Sequence, residues 1–229
     1  MKQMFGYFSL GEKILWGVSV LLIIAAFCTF GGNGILTLVA SLVGVTAILL
    51  NAKGNPIGQA LMILFSLLYG IISFTFSYYG EMITYLGMTM PMAGFALIAW
   101  LRHPYRGKRS EVQVNSLGGR EIVFLFLLAA AVTTGFYFIL RYFHTANLIP
   151  STISVTTSFL AVYLTFRRSP SFSLAYAAND VVLILLWVLA SRTEERYLSM
   201  VVCFAAFLFH DIYGFISWRR LRAKQQCGA

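Results

Sequence analysis

The stretch "RHPYRGKRSEVQVNSLGGRE" (102–121) is the longest polar run in the chain, and apolar segments flank it on both sides. Four precede it, roughly Ile14–Phe30, Ile35–Leu50, Ile57–Tyr78 and Met82–Leu101. Four follow, roughly Glu121–Tyr142, Leu148–Phe166, Leu174–Ser191 and Leu198–Trp218. Each comes near the ~20 residues that a helix needs to cross a bilayer. The runs are continuously apolar, without period-two alternation, which selects helices over a barrel. Of 229 residues, 59% are hydrophobic and 11% charged. That composition belongs to a polytopic membrane protein and not to a soluble domain with one core.

The basic residues test the count of eight. With eight spans, both ends and the 102–121 stretch share one side. That side collects Lys2, Lys13, Lys53, Arg102, Arg106, Lys108, Arg109, Arg120, Arg167, Arg168, Arg219, Arg220, Arg222 and Lys224, against Arg141, Arg192 and Arg196 on the other. Seven or nine spans destroy the asymmetry. The positive-inside rule then places both termini in the cytoplasm. The net charge of +9 is explained by topology, and no nucleic-acid partner is expected. The run Ile14–Phe30 lacks a small-x-small cleavage site and reads as an ordinary span. Cys28, Cys203 and Cys227 have neither disulfide-framework nor metal spacing, so no metal or cofactor is expected.

Working outward from 102–121, the two halves carry similar marks. "LNAKGNP" (50–56) and "TFRRSP" (165–170) each place a basic residue shortly before a proline at the mouth of a span. Trp100 and Trp218 each close a span just before a basic cluster. These marks divide the chain into a first span (1–34), a three-helix repeat (35–101), a basic loop and linker helix (102–146), a second three-helix repeat (147–222) and a tail (223–229) without readable role. One linker helix between two three-helix units makes the repeats parallel, with a site expected between them near the midplane.

Glu12, Glu81, Glu111, Glu121, Glu194 and Glu195 read as helix-end or loop residues; only Asp180 and Asp211 lie within spans. A charged side chain at the centre of a membrane helix costs about 2.5–3.5 kcal/mol by insertion and marks a functional site by default. Tyr176, Asp180, Leu183 and Trp187 recur on one helical face, with Asn179 at its border; Asp211, Gly214 and Trp218 form a second stripe, flanked by His210 and Tyr213. Carboxylates beside aromatic faces suit a flat organic cation. The alternative stays open for each: Asp211 and Asp180 as packing hydrogen bonds, His210 as a packing partner, and Trp100 and Trp218 as interfacial anchors, the favoured role for both. Pro91 frees a carbonyl and marks a hinge or a bend. Gln59, Tyr69, Ser73, Ser154, Thr157, Ser158 and Tyr163 rank lower as interface hydroxyls and amides. Hydrolase, zinc-protease and nucleotide-binding motifs are missing, so no enzyme is expected.

"DIYGFISWRR" (211–220), "RRSP" (167–170) and "AND" (178–180) resemble the second half of the PnuC family of bacterial vitamin-precursor transporters. "AKGNP" (52–56), "YYGEMITYLGM" (78–88) and "AWLRHP" (99–104) resemble its first half. The resemblance implies an all-α, SWEET-like fold of parallel three-helix repeats in the bacterial inner membrane. It further implies import of nicotinamide riboside by facilitated diffusion, trapped afterwards by cytosolic kinases. In the family, asparagine, tryptophan and tyrosine side chains bind the ligand; the matching positions are Asn179, Asp180, Trp187, Asp211 and Tyr213. Family members often carry asparagine where this chain has Asp211, and Ala93 holds the equivalent place in the first repeat. Thiamine, also a cation, and riboflavin remain alternative substrates, and a homo-oligomer is left open. A non-transporting sensor or scaffold predicts a sealed, packed midplane in which both aspartates pair with neighbouring side chains. A transporter predicts a pocket between the repeats lined by Asp180, Asp211 and Trp187.

Overall fold

Ser9 and Glu12 open the first helix with a reciprocal cap. The Ser9 hydroxyl accepts from the Glu12 N–H, and the Glu12 carboxylate accepts from the Ser9 N–H. Two of the helix's unpaired N–H groups are thereby satisfied, and α1 (Leu10–Thr29) starts ahead of its apolar run. Seven helices follow: α2 (Ile35–Ala52), α3 (Ile57–Thr75), α4 (Tyr79–Arg102), α5 (Gly119–Tyr142), α6 (Leu148–Phe166), α7 (Phe172–Ser191) and α8 (Leu198–Cys227). The computed structural model describes residues 7–30, 34–75, 78–145 and 147–227; Lys2, counted above, lies outside them. Among the described residues, eight helices are long and apolar enough to cross a membrane.

Six of them close a ring. α2 packs on α3, α3 on α4, α4 on α6, α6 on α7, α7 on α8, and α8 returns to α2. The two contacts that join the halves, α4 with α6 and α8 with α2, are corresponding positions of the two repeats. α1 lies outside the ring in the groove of α8 and α2, and α5 lies outside against α6. Glu12 pegs α1 in place: its carboxylate accepts from Tyr213 at 2.6 Å and pairs with Lys53 at 3.2 Å.

The marks "LNAKGNP" and "TFRRSP" fold into the same turn. Gly54 (φ 67) and Arg168 (φ 57) both take the left-handed conformation, and Asn55 N–H to Leu50 O is matched by Ser169 N–H to Leu164 O. Glycine adopts that conformation freely, whereas a side chain must be held in it. The loop supplies the holding contacts. Val112 N–H donates to Gly54 O, and Asn115 N–H donates to Arg168 O, so one segment fastens the turns of both halves.

The 102–121 stretch contains a feature that polarity alone did not announce. Pro104–Tyr105 (β1) pairs antiparallel with Lys108–Val112 (β2). Arg106 and Gly107 between them both have positive φ, the backbone of a two-residue hairpin turn. The tail also acquires a role. "RRLRAKQQC" continues α8 to Cys227, well past the expected end at Trp218, because it holds no helix breaker. Gln225 on that extension donates to Val112 O and accepts from Val114 N–H.

Trp100 and Trp218, favoured above as interfacial anchors, are instead fully buried. Trp100 Nε1 donates to Thr165 O at 2.9 Å and Trp218 Nε1 to Asn51 O at 2.7 Å. Each repeat thus donates an indole N–H to the other, at corresponding positions, and the two rings meet at 5.3 Å. Proximity to a basic cluster misled because both indoles point into the ring of helices. Trp218→Phe removes this buried hydrogen bond while the Asn51 carbonyl keeps the Gly54 N–H, a loss of about 0.5–1.5 kcal/mol. It should lower the thermal unfolding midpoint in detergent, and Trp100→Phe should lower it by a similar amount.

Candidate functional site

Tyr176, Asn179, Asp180 and Asp211 meet at one enclosed cavity between the repeats. All six ring helices contribute to its wall: Gly44 and Asn51 from α2, Phe65 from α3, Tyr85 and Thr89 from α4, Ser158 from α6, Tyr176, Asn179 and Asp180 from α7, and Phe207 and Asp211 from α8. Asp180 and Asp211 lie within hydrogen-bonding reach of each other, and Asp180 Oδ2 is buried without a partner. Two carboxyl groups at that separation share a proton or hold a cation between them. Among the described residues, no lysine or arginine lines the cavity, and no group of acids, histidines and cysteines has metal-site geometry.

Asn179 is fixed by three hydroxyls. Thr157, Ser158 and Ser154 reach its Oδ1 at 2.9, 3.0 and 3.3 Å. The interface hydroxyls ranked low from sequence therefore orient a residue of the cavity. On α4, Pro91 has no N–H to give, and the turn before it widens to a π-helix over Tyr85–Thr89, with Met90 N–H bonded to Tyr85 O. A π-turn re-aims the side chains it carries, and both Tyr85 and Thr89 reach the cavity.

The enclosed space is about 30 Å³, room for one or two water molecules at about 10–15 Å³ each; pockets for small organic molecules run to about 300–1,000 Å³. The ring is therefore contracted around its polar centre, and the helices must part to admit a ligand. Aromatic layers close both ends. Toward the 102–121 loop stand Trp100, Trp218 and Phe172, with Phe172 at 4.8 Å from Trp218. Toward the opposite face, Trp187 Nε1 donates to Tyr69 Oη at 3.1 Å, and the Tyr69 ring lies 4.4 Å from that of Tyr85.

Two expected site residues stand elsewhere. Trp187 is buried one layer out from the cavity, against Tyr78 and Tyr197. Tyr213 turns to Glu12 on α1. His210 is fully buried; its Nδ1 bonds Ala206 O and its Nε2 has no partner, and it is absent from the cavity wall. Glu81, read above as a helix-end residue, is 5% exposed and packed inside the bundle. Asn51, Tyr85 and Thr89 were not singled out from sequence. A polar residue ending an otherwise apolar span, in register with Thr165, was the available signal for Asn51.

Comparison with known proteins places this geometry. A protein of Neisseria mucosa named nicotinamide riboside transporter PnuC is 25% identical over 226 residues, covering 96% of this chain and 85% of that protein. The crystal structure of the vitamin B3 transporter PnuC superposes with a TM-score of 0.83 at 21% identity, covering 95% of this chain and 94% of that one; at this identity the likeness speaks for the fold. A family model described as nicotinamide mononucleotide transporter matches residues 34–220, most of the ring and its linker. The chain belongs to that transporter family.

Proposed function

We propose that the protein carries nicotinamide riboside across the bacterial plasma membrane by facilitated diffusion, with both termini in the cytoplasm. The carrying observation is the Asp180–Asp211 pair at a cavity walled by both repeats. Nicotinamide riboside presents a flat pyridinium cation and a neutral ribose. The carboxyl pair matches the cation, Tyr176 and Tyr85 offer ring faces, and the Asn179 amide suits hydroxyls. A mononucleotide adds a phosphate, which an acidic cavity without a lysine or arginine in its wall repels. The riboside is therefore favoured over the mononucleotide of the family's description. The relative from Neisseria mucosa, named for the riboside, supports the same choice. Exposed apolar side chains on α1 and α5, such as Leu21 and Leu127, supply the lipid-facing surface.

Liposomes containing the pure protein should take up labelled nicotinamide riboside down its gradient without ATP, and nicotinamide mononucleotide should neither enter nor compete. Uptake of thiamine with none of the riboside would move the assignment to a thiamine carrier; uptake of neither would leave a sensor or scaffold. Asp211→Asn and Asp180→Asn each remove a charge from the pair. Loss of one charge-assisted contact, about 1.5–3 kcal/mol, should weaken riboside binding by about 10–100-fold with folding retained. Calorimetric titration in detergent, beside a thermal melt, measures both.

A further inference from the structure

Glu81 is a further carboxyl group buried in the bundle, and the central cavity does not use it. It stands near the start of α4, on the face opposite the basic loop, and is 5% exposed. Its Oε2 has no hydrogen-bond partner. Glu81 borders a second enclosed void, of about 10 Å³, shared with Tyr78, Thr145, Ser151, Leu183 and Trp187. Thr145 Oγ1 is likewise buried without a partner. Two unsatisfied polar atoms on one void are costly unless something else uses them. The fold makes room for this arrangement at Gly80, where a Cβ would come within 2.8 Å of Thr145 Cγ2 and 2.9 Å of Leu140 Cδ2.

The void is not isolated from the central site. Leu183 and Trp187 on it continue the α7 face that carries Tyr176 and Asp180 at the cavity. Ser154 lies beside Glu81 and donates to Asn179 Oδ1. The wall between the two spaces is the Trp187–Tyr69–Tyr85 layer. Around Glu81 the chemistry of the centre is repeated: a carboxylate, a hydroxyl, and the rings of Tyr78 and Trp187 with centroids 5.2 Å apart.

We infer that Glu81, Thr145, Tyr78 and Trp187 form an outer subsite, which holds the flat organic cation between bulk solvent and the central cavity. The inference rests on the transport function proposed above. Opening the Trp187–Tyr69 hydrogen bond would join the two spaces. Glu81 then selects for positive charge before the ligand reaches Asp180 and Asp211.

Initial rates of uptake into liposomes test this, using nicotinamide riboside and its reduced dihydro form, which has nearly the same shape and no charge. Glu81→Gln keeps the size of the side chain and removes its charge. Its KM for the cation should rise about tenfold or more, with little change in the inhibition constant of the neutral form. Glu81→Asp should recover part of the loss, and the thermal midpoints of both variants should match the wild type. An unchanged KM in Glu81→Gln overturns the subsite while leaving the transport function standing. An equal loss for charged and neutral forms, or a lowered midpoint that Glu81→Asp does not restore, makes the carboxylate structural and also overturns it. If the wild-type protein moves no riboside, the transport function fails first and the subsite for that cation falls with it.

Discussion

Asp180 and Asp211 sit within reach of each other, inside a ring of helices whose outer surface is apolar. Neither carboxyl group meets a lysine or arginine among the described residues of the cavity. Burying acids in lipid is unfavourable by several kcal/mol, so the fold must provide a polar interior in which they are tolerable. The closed ring does this. Each of its six helices contributes to the cavity wall, and Asn179, itself held by three hydroxyls, extends the polar lining.

The two aromatic layers turn that polar centre into an enclosed one. On the side of the basic loop, the repeats exchange indole hydrogen bonds, Trp100 to Thr165 and Trp218 to Asn51. On the opposite side Trp187 donates to Tyr69, with edge-on and tilted rings around the bond. Rigid rocking of one repeat against the other is the general solution in transporters built this way. Here the symmetric layer also carries the hairpin and Gln225, which fasten both turns through Val112 and Asn115. Parting the repeats on that side disturbs the loop as well as the indoles.

Helix α4 shows how one residue type propagates through these levels. Pro91 removes an N–H, the preceding turn widens, and Tyr85 and Thr89 are delivered to the cavity. Tyr85 is also part of the layer beneath Trp187. The proline therefore shapes both the ligand space and its closure. The same helix brings Glu81 inside at its other end, where Gly80 permits the close approach of Thr145.

Much of this was legible in the order of residues. Span number, the basic side and the correspondence of "LNAKGNP" with "TFRRSP" follow from hydropathy and charge, which act locally and leave a periodic trace. The pairing of Asp180 with Asp211 was foreshadowed because two acids in apolar helices have few other places to go. Tertiary structure alone decided the rest. Trp100 and Trp218 changed from surface anchors to buried clamps, Tyr213 turned to Glu12, Trp187 moved one layer outward, and Glu81 proved internal. Each of those outcomes depends on the rotation of a helix about its axis and on which neighbour it meets. Hydropathy is blind to both, since an apolar helix in lipid has no wet face to orient it.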